Sequence, residues 1–294
     1  MSTSPTPPQP YRWTLSSYGG GRPDRTGVLP EPPARADDGT PGEWYVDELT
    51  ACTAKVLARA GGADLCFLGR SLDGMYDLLT GALEYASWPG RLHRLPVSCL
   101  DDEAWTPAVR RRFREHLAAV GLEPSALARR KRPIALVDVV FWGRSFSTLH
   151  RNLAAWIEES REPWPVIRRK LRYVGVTSRG KPSPKHERWQ QSEAWVRSLP
   201  AGHVVNVSID SGMWGVMADH EPKLTRSFPH WLWHDIEAPV VERHAKVAPA
   251  LNRAKALVAA GRTHEVRDEL VRLMAREPGF ADREVRALAG AIRG

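Results

Sequence analysis

Two stretches of this sequence carry residues suited to holding an anion. FWGRSFST (141–148) follows the apolar run IALVDVV (134–140) and leads into LHRNLAAWI. FLGRSLDG (67–74) likewise follows an apolar run and leads into MYDLLTGAL. A small polar loop entering a helix presents backbone N–H groups and the positive end of the helix dipole, which together suit phosphate. In the later stretch Gly143 permits a tight turn, and Ser145, Ser147 and Thr148 add hydroxyl donors. Asp138, five residues before Gly143, would emerge near the end of its strand. Like charge bars it from holding phosphate, but its carboxyl can accept hydrogen bonds from sugar hydroxyls. The alternative is an ordinary strand-to-helix turn with Ser as helix cap. In the earlier stretch, Gly69 and Gly74 could serve only to relieve turn strain.

The elements that would position these loops can be read from periodicity and punctuation. WYVDELTACTAKVLARA (44–60) has helical spacing and stops at Gly61-Gly62. Residues 71–83 form a second predicted helix, TPAVRRRFREHLAAVGL (106–122) a third with Pro107 in its first turn, SFSTLHRNLAAWIEE a fourth and KHERWQQSEAWVRSL (185–199) a fifth. Strands are predicted at 65–68, 91–97, 134–140, 171–177 and 203–209. Near-continuous apolar strands alternating with helices indicate an α/β fold, a parallel sheet flanked by helices. Residues 239–294 read as a helical C-terminal extension. Residues 1–43 hold nine of the 24 prolines and a GGG run, and are expected to be an extended or disordered arm.

Charge and cysteine content limit the partners. Lys and Arg number 42 against 34 Asp and Glu, a net +8, which suits phosphorylated or polyanionic ligands without choosing among them. Cys52, Cys66 and Cys99 form no CxxC and no framework, and no leader-like or membrane-length apolar run is evident. A cytoplasmic protein with reduced thiols and no membrane partner is expected. A Walker-type loop, HExxH, GxGxxG and nucleophilic triads are absent from the sequence.

With these residues in view, IALVDVVFWGRS resembles the signature of the type I phosphoribosyltransferases: a hydrophobic strand, two adjacent acids, a few apolar residues, then Thr-Gly-x-Thr opening a helix. Val137 stands at the first acid, Asp138 at the second, Trp142 at the first Thr, Gly143 at the Gly and Ser145 at the second Thr. The resemblance covers residues 44–210 within a domain spanning 44–238, and it implies a phosphoribosyltransferase-like fold with the helical extension as an appendage. It also implies transfer of a ribose 5-phosphate group from phosphoribosyl pyrophosphate to an acceptor, with Mg²⁺ bound through the pyrophosphate.

By the same resemblance, Gly143, Arg144, Ser145, Phe146, Ser147 and Thr148 would hold the 5-phosphate and Asp138 the ribose. Gly69, Arg70, Ser71 and Gly74 would hold the pyrophosphate, with Asp73 positioning water on Mg²⁺ or capping its helix. Trp142 would put a bulky ring where phosphate approaches, and Val137 removes one carboxylate. One Arg of 110–114 could reach the pyrophosphate, as could Lys181 or Lys185.

The other features divide between function and packing. IDSGMWGVMADHEPKLTRSFPHWLW (209–233) is rich in Trp, Met and His, and could stack a planar acceptor or simply pack. His230 and His234 have a metal-compatible spacing but no recognisable third ligand. The competing function is a non-catalytic regulatory protein on the same fold, binding a metabolite or nucleic acid; hydrolysis or phosphorolysis of a nucleotide is a third. A homodimer is compatible with all three.

Overall fold

The structure is a computed structural model that describes residues 40–84, 86, 88–98, 105–180, 189–221, 223–224, 227–233 and 247–294. The rest of the arm at 1–43, the 238/239 boundary, Cys99, Lys181, Lys185 and His234 lie outside the described residues.

Five strands, β1 (Asp64–Leu68), β2 (Leu92–Leu95), β3 (Ile134–Val139), β4 (Leu171–Ser178) and β5 (Val204–Ile209), pair in the order β2-β1-β3-β4-β5. Every pairing is parallel, with Leu65 beside Leu92, Asp64 beside Ile134, Ile134 beside Leu171 and Tyr173 beside Val204. The helices are α1 (Glu43–Ala60), α2 (Asp73–Ala82), α3 (Pro107–Ala119), α4 (Pro124–Arg129), α5 (Arg144–Glu159), α6 (Trp164–Ile167), α7 (Trp189–Ser192), α8 (Ser211–Gly215), α9 (Val247–Arg262), α10 (His264–Met274) and α11 (Arg283–Arg293). Among them no helix is long and apolar enough to cross a membrane.

Alternation along the strands sends side chains to two cores. Leu65, Phe67, Ala135, Val137, Val174 and Val176 face a core shared with α1, α2 and α9–α11. Cys66, Leu68, Ile134, Leu136, Leu171 and Tyr173 face a second core with α3, α5 and the aromatic rings of Trp189 and Trp233. Both faces are therefore covered, which is why the strands read as unbroken apolar runs. Burial pushes the Cys52 and Cys66 thiols up to about 12, leaving them protonated packing groups.

Local chemistry sets the boundaries. The Thr106 hydroxyl accepts from the Val109 amide at 3.3 Å, and Pro107 occupies the first turn of α3. Pro96 follows β2 and limits it to four residues, shorter than expected. The helix expected over 185–199 does not form as one piece. Residues 189–192 make a single α-turn, Glu193 is extended, and 194–198 make a 3-10 turn. The break lets two rings six residues apart serve the same side: Trp189 donates to Asn206 Oδ1 at 2.9 Å, and Trp195 donates to Ser147 Oγ at 3.0 Å.

The C-terminal helices lie close against the first core. A Cβ on Gly81 would meet the Val258 carbonyl oxygen at 2.0 Å, and one on Gly261 would meet that of Leu78 at 2.1 Å. The backbones of α2 and α9 thus approach within a distance that admits no side chain at either crossing. Gly81→Ala is expected to cost about 1–3 kcal/mol through overpacking despite the better helix propensity of Ala. A fall of several degrees in Tm checks this; an unchanged Tm would mean that the crossing can open.

Candidate functional site

In a parallel sheet ordered β2-β1-β3-β4-β5, the chain runs outward from β1 to β2 and then returns to β3. The loops leaving β1 and β3 consequently diverge, and the crevice between them is where such sheets bind ligands. Both Gly-Arg-Ser loops lie at this point. Between them is a cavity of about 210 Å³ lined by Leu68, Gly69, Arg70, Ser71, Val97, Ser98, Asp138, Ser145, Ala218, Lys223 and Ser227. Two basic residues, four serines and one aspartate are thus among its lining.

The β1 loop turns through Gly69, whose φ of 63° is left-handed and whose amide donates to the Leu95 carbonyl at 2.9 Å. Arg70 and Ser71 follow at the cavity wall. The β3 loop turns through Gly143, φ 74°, which caps α5. A Cβ there would lie 2.4 Å from the Trp189 ring, so both the left-handed backbone and the packing require glycine. The first turn of α5 then brings Ser145 back to Asp138.

Asp138 is buried at the end of β3, where the Val139 amide and the Ser145 hydroxyl hydrogen-bond to its carboxyl. Burial outweighs these two donors and raises its pKa to about 8, leaving a neutral carboxyl below that pH, able to donate as well as accept. Val137, the neighbour that stands at the first acid, is fully buried in the α1–α2 core and offers nothing to a ligand.

Several expected residues sit elsewhere. Asp73 is buried and ion-paired to Arg94 Nη2 at 2.5 Å, so its carboxyl is turned to β2 and away from the cavity. Gly74 faces Tyr45 and α9, and a Cβ on it would lie 2.9 Å from the Tyr45 hydroxyl; close packing explains it, with no left-handed turn. The Phe146 ring is fully buried between Tyr173 and Trp189, at centroid distances of 5.3 and 5.6 Å, and does not line the cavity.

Ser147 spends its hydroxyl on the Gly143 carbonyl, at 3.0 Å, and on Trp195. Thr148 is buried one turn further into α5, and Arg144 is exposed. The Trp142 ring does not enter the cavity: it is 55% exposed. In the basic run 110–114, Arg110 binds Asn152, Arg112 pairs with Glu115, and Arg114 holds both oxygens of Glu159. The first and last of these contacts tie α3 to α5, and the Arg112–Glu115 pair stays within α3.

Lys223, like Ser98 and Ser227, is a cavity residue that sequence reasoning missed. Its ammonium pairs with Glu221 and donates to the Met217 carbonyl at 3.0 Å and the Ser71 carbonyl at 3.5 Å. Glu221 is itself held by the Tyr45 hydroxyl and by Arg253 of α9, whose guanidinium lies 3.5 Å away. Lys223 therefore clamps the β1 loop to the segment after β5. The signal was a Glu-x-Lys pair in the segment that follows the last predicted strand.

A protein-held Mg²⁺ does not fit these residues. The cavity offers one carboxyl, buried and neutral, and among the described residues no group of three or more His, Cys, Asp or Glu is placed to hold a metal. Comparison with protein-family models, with curated proteins and with solved structures returned no match to this chain.

The neutral carboxyl has a consequence for stability. The folded chain holds the Asp138 proton up to about pH 8, whereas the unfolded chain releases it near pH ~4. The folded state thus binds the extra proton between these values, and this contribution to stability is lost as pH rises through the window. Asp138→Asn, which keeps the neutral shape, should remove that loss. In urea unfolding at pH 5 and pH 8.5, wild type is expected to lose on the order of 4 kcal/mol more than the variant. Equal losses would show that Asp138 is ionised in the folded protein.

Proposed function

We propose that the chain is a phosphoribosyltransferase-like enzyme transferring a ribose 5-phosphate group from phosphoribosyl pyrophosphate to an acceptor. The observation that carries this reading is the convergence of Gly69, Arg70 and Ser71 from one loop, Ser145 from the other, Asp138 and Lys223 on one cavity at the crevice between β1 and β3. On this reading the sheet is phosphoribosyltransferase-like, α9–α11 are an addition to it, and the protein acts in the cytoplasm.

The chemistry follows from where charge develops. The bond from the anomeric carbon to the pyrophosphate oxygen breaks, and the electron pair leaves with pyrophosphate. A lone pair on the acceptor forms the new bond, and the acceptor's proton passes to solvent. Arg70, the amides around Ser71 and the helix end of α2 meet the departing negative charge. The first turn of α5 meets the 5-phosphate. Asp138 holds the ribose hydroxyls, and its Ser145 contact fixes the carboxyl's orientation. Lys223 keeps the β1 loop in place through the Ser71 carbonyl. Mg²⁺ would arrive on the pyrophosphate and neutralise part of its charge.

A regulatory protein binding the same sugar phosphate without turnover is the second reading, favoured by the burial of Val137, which leaves a single carboxyl at the site. Calorimetric titration with phosphoribosyl pyrophosphate and Mg²⁺ tests both. Micromolar binding, weakened at least about tenfold in Asp138→Ala, supports the site, and pyrophosphate release on adding candidate acceptors then separates enzyme from sensor. Absence of binding in wild type overturns both.

A further inference from the structure

A second cavity, of about 550 Å³, lies where the later turns of α5 meet α6. It is well removed from the first. Ser145 of the anion site and Glu158 of this cavity are thirteen residues apart on α5, or about 20 Å along the helix axis. Ala154, Ile157 and the Trp164 ring give it apolar walls, and His150 is its one buried polar group. Trp164 meets the His150 ring edge-on at 5.8 Å, and Trp195 stacks on it at 4.4 Å.

The state of that imidazole can be assigned. Burial lowers its pKa to about 4, so the ring is neutral at ordinary pH. The fully buried Tyr173 hydroxyl lies 2.9 Å from His150 Nδ1 and has no other hydrogen-bond partner among the described residues. A buried hydroxyl keeps its bond by donating, so Tyr173 donates to Nδ1 and the ring's own hydrogen sits on Nε2. Nε2–H has no partner among the described residues and is the donor left for a ligand.

The mouth carries both signs of charge. Glu158, Arg161 and Glu162 line it, and none forms an ion pair among the described residues. The C-terminal carbonyls of α5 add negative potential beside the two glutamates. Arg161 follows the C-cap Ser160 with φ 54°, the one non-glycine among the described residues with a left-handed backbone. Glycine is the usual residue at such a position. An arginine held there against its backbone preference points to a use for its side chain.

We propose that this cavity binds an aromatic zwitterion, of which the aromatic α-amino acids are the simplest: the ring packs against Trp164 and Ile157, the ammonium faces Glu158 and Glu162, and the carboxylate faces Arg161. Apolar walls with a few polar groups at fixed places are what small-molecule sites share. The site is separate from the anion cavity and does not rest on the sugar-phosphate reading.

The test titrates L-phenylalanine into the full chain by calorimetry, beside phenethylamine and 3-phenylpropionate, which keep only the ammonium or only the carboxylate. Wild type is expected to bind L-phenylalanine about tenfold or more tighter than either analogue. Arg161→Gly relieves the backbone and should melt no lower than wild type. It should weaken L-phenylalanine and 3-phenylpropionate about tenfold and leave phenethylamine unchanged. Glu158→Gln/Glu162→Gln should do the converse, weakening L-phenylalanine and phenethylamine alone. No binding of L-phenylalanine at millimolar concentration overturns the site, as does binding that both variants leave intact. Equal affinity for the three ligands overturns the zwitterion. Loss of L-phenylalanine binding in Asp138→Ala would put the ligand in the anion cavity and also overturn the proposal.

Discussion

The turn at Gly143 can be made only by a residue without a side chain, and the site depends on that turn. Its left-handed backbone ends β3 and starts α5 within a few residues. The space its missing Cβ leaves is filled by Trp189, whose indole N–H reaches across to Asn206 on β5. Gly175 on β4 makes room for the same pair, since a Cβ there would approach Asn206 Oδ1 at 2.8 Å and the Trp189 ring at 3.4 Å. Two glycines on neighbouring segments thus admit one tryptophan, and that tryptophan fixes how α5 leaves the sheet. The approach of Ser145 to Asp138 follows from this packing.

The second constraint is electrostatic. Asp138 sits at the end of a buried strand with a hydroxyl and an amide as partners and, among the described residues, no cation against it, which is why its proton is held so firmly. The carboxylate nearest in kind, Glu221, has the opposite surroundings. It is equally buried but is met by Lys223, Arg253 and the Tyr45 phenol. Burial and the Glu221 charge keep that phenol protonated by pushing its pKa well above the ordinary value. One carboxyl is stored neutral and the other as part of a balanced cluster, and Lys223, which touches the cavity, belongs to the second. The wall of the site is thereby built by the charge balance of residues behind it.

Much of this was legible in the sequence, and the limits have physical causes. Five apolar runs gave five strands because a sheet covered on both faces leaves no polar alternation to confuse the reading. Gly143 and Asp138 were legible because a strand, a carboxyl, a glycine and a serine in order leave few arrangements. Asp73 was not: its charge looked available until Arg94, 21 residues later, was seen to hold it. Gly74 answers to a helix that enters the chain beyond residue 246, and Tyr45 meets Glu221 across 176 positions. The divided helix at 189–198 was hidden because the demand on Trp189 and Trp195 comes from β5 and α5, outside their own segment.

That long reach bears on how the chain matures during synthesis. The β1 loop and its glycine emerge early, yet the lysine that clamps it lies some 150 residues later, and the arginine that balances the lysine's partner lies on α9. Contacts of such separation form late, after the entropy of closing large loops has been met. The nascent chain can pair its first strands well before its cavity wall is complete, and the cluster behind that wall closes only when residue 253 has left the ribosome.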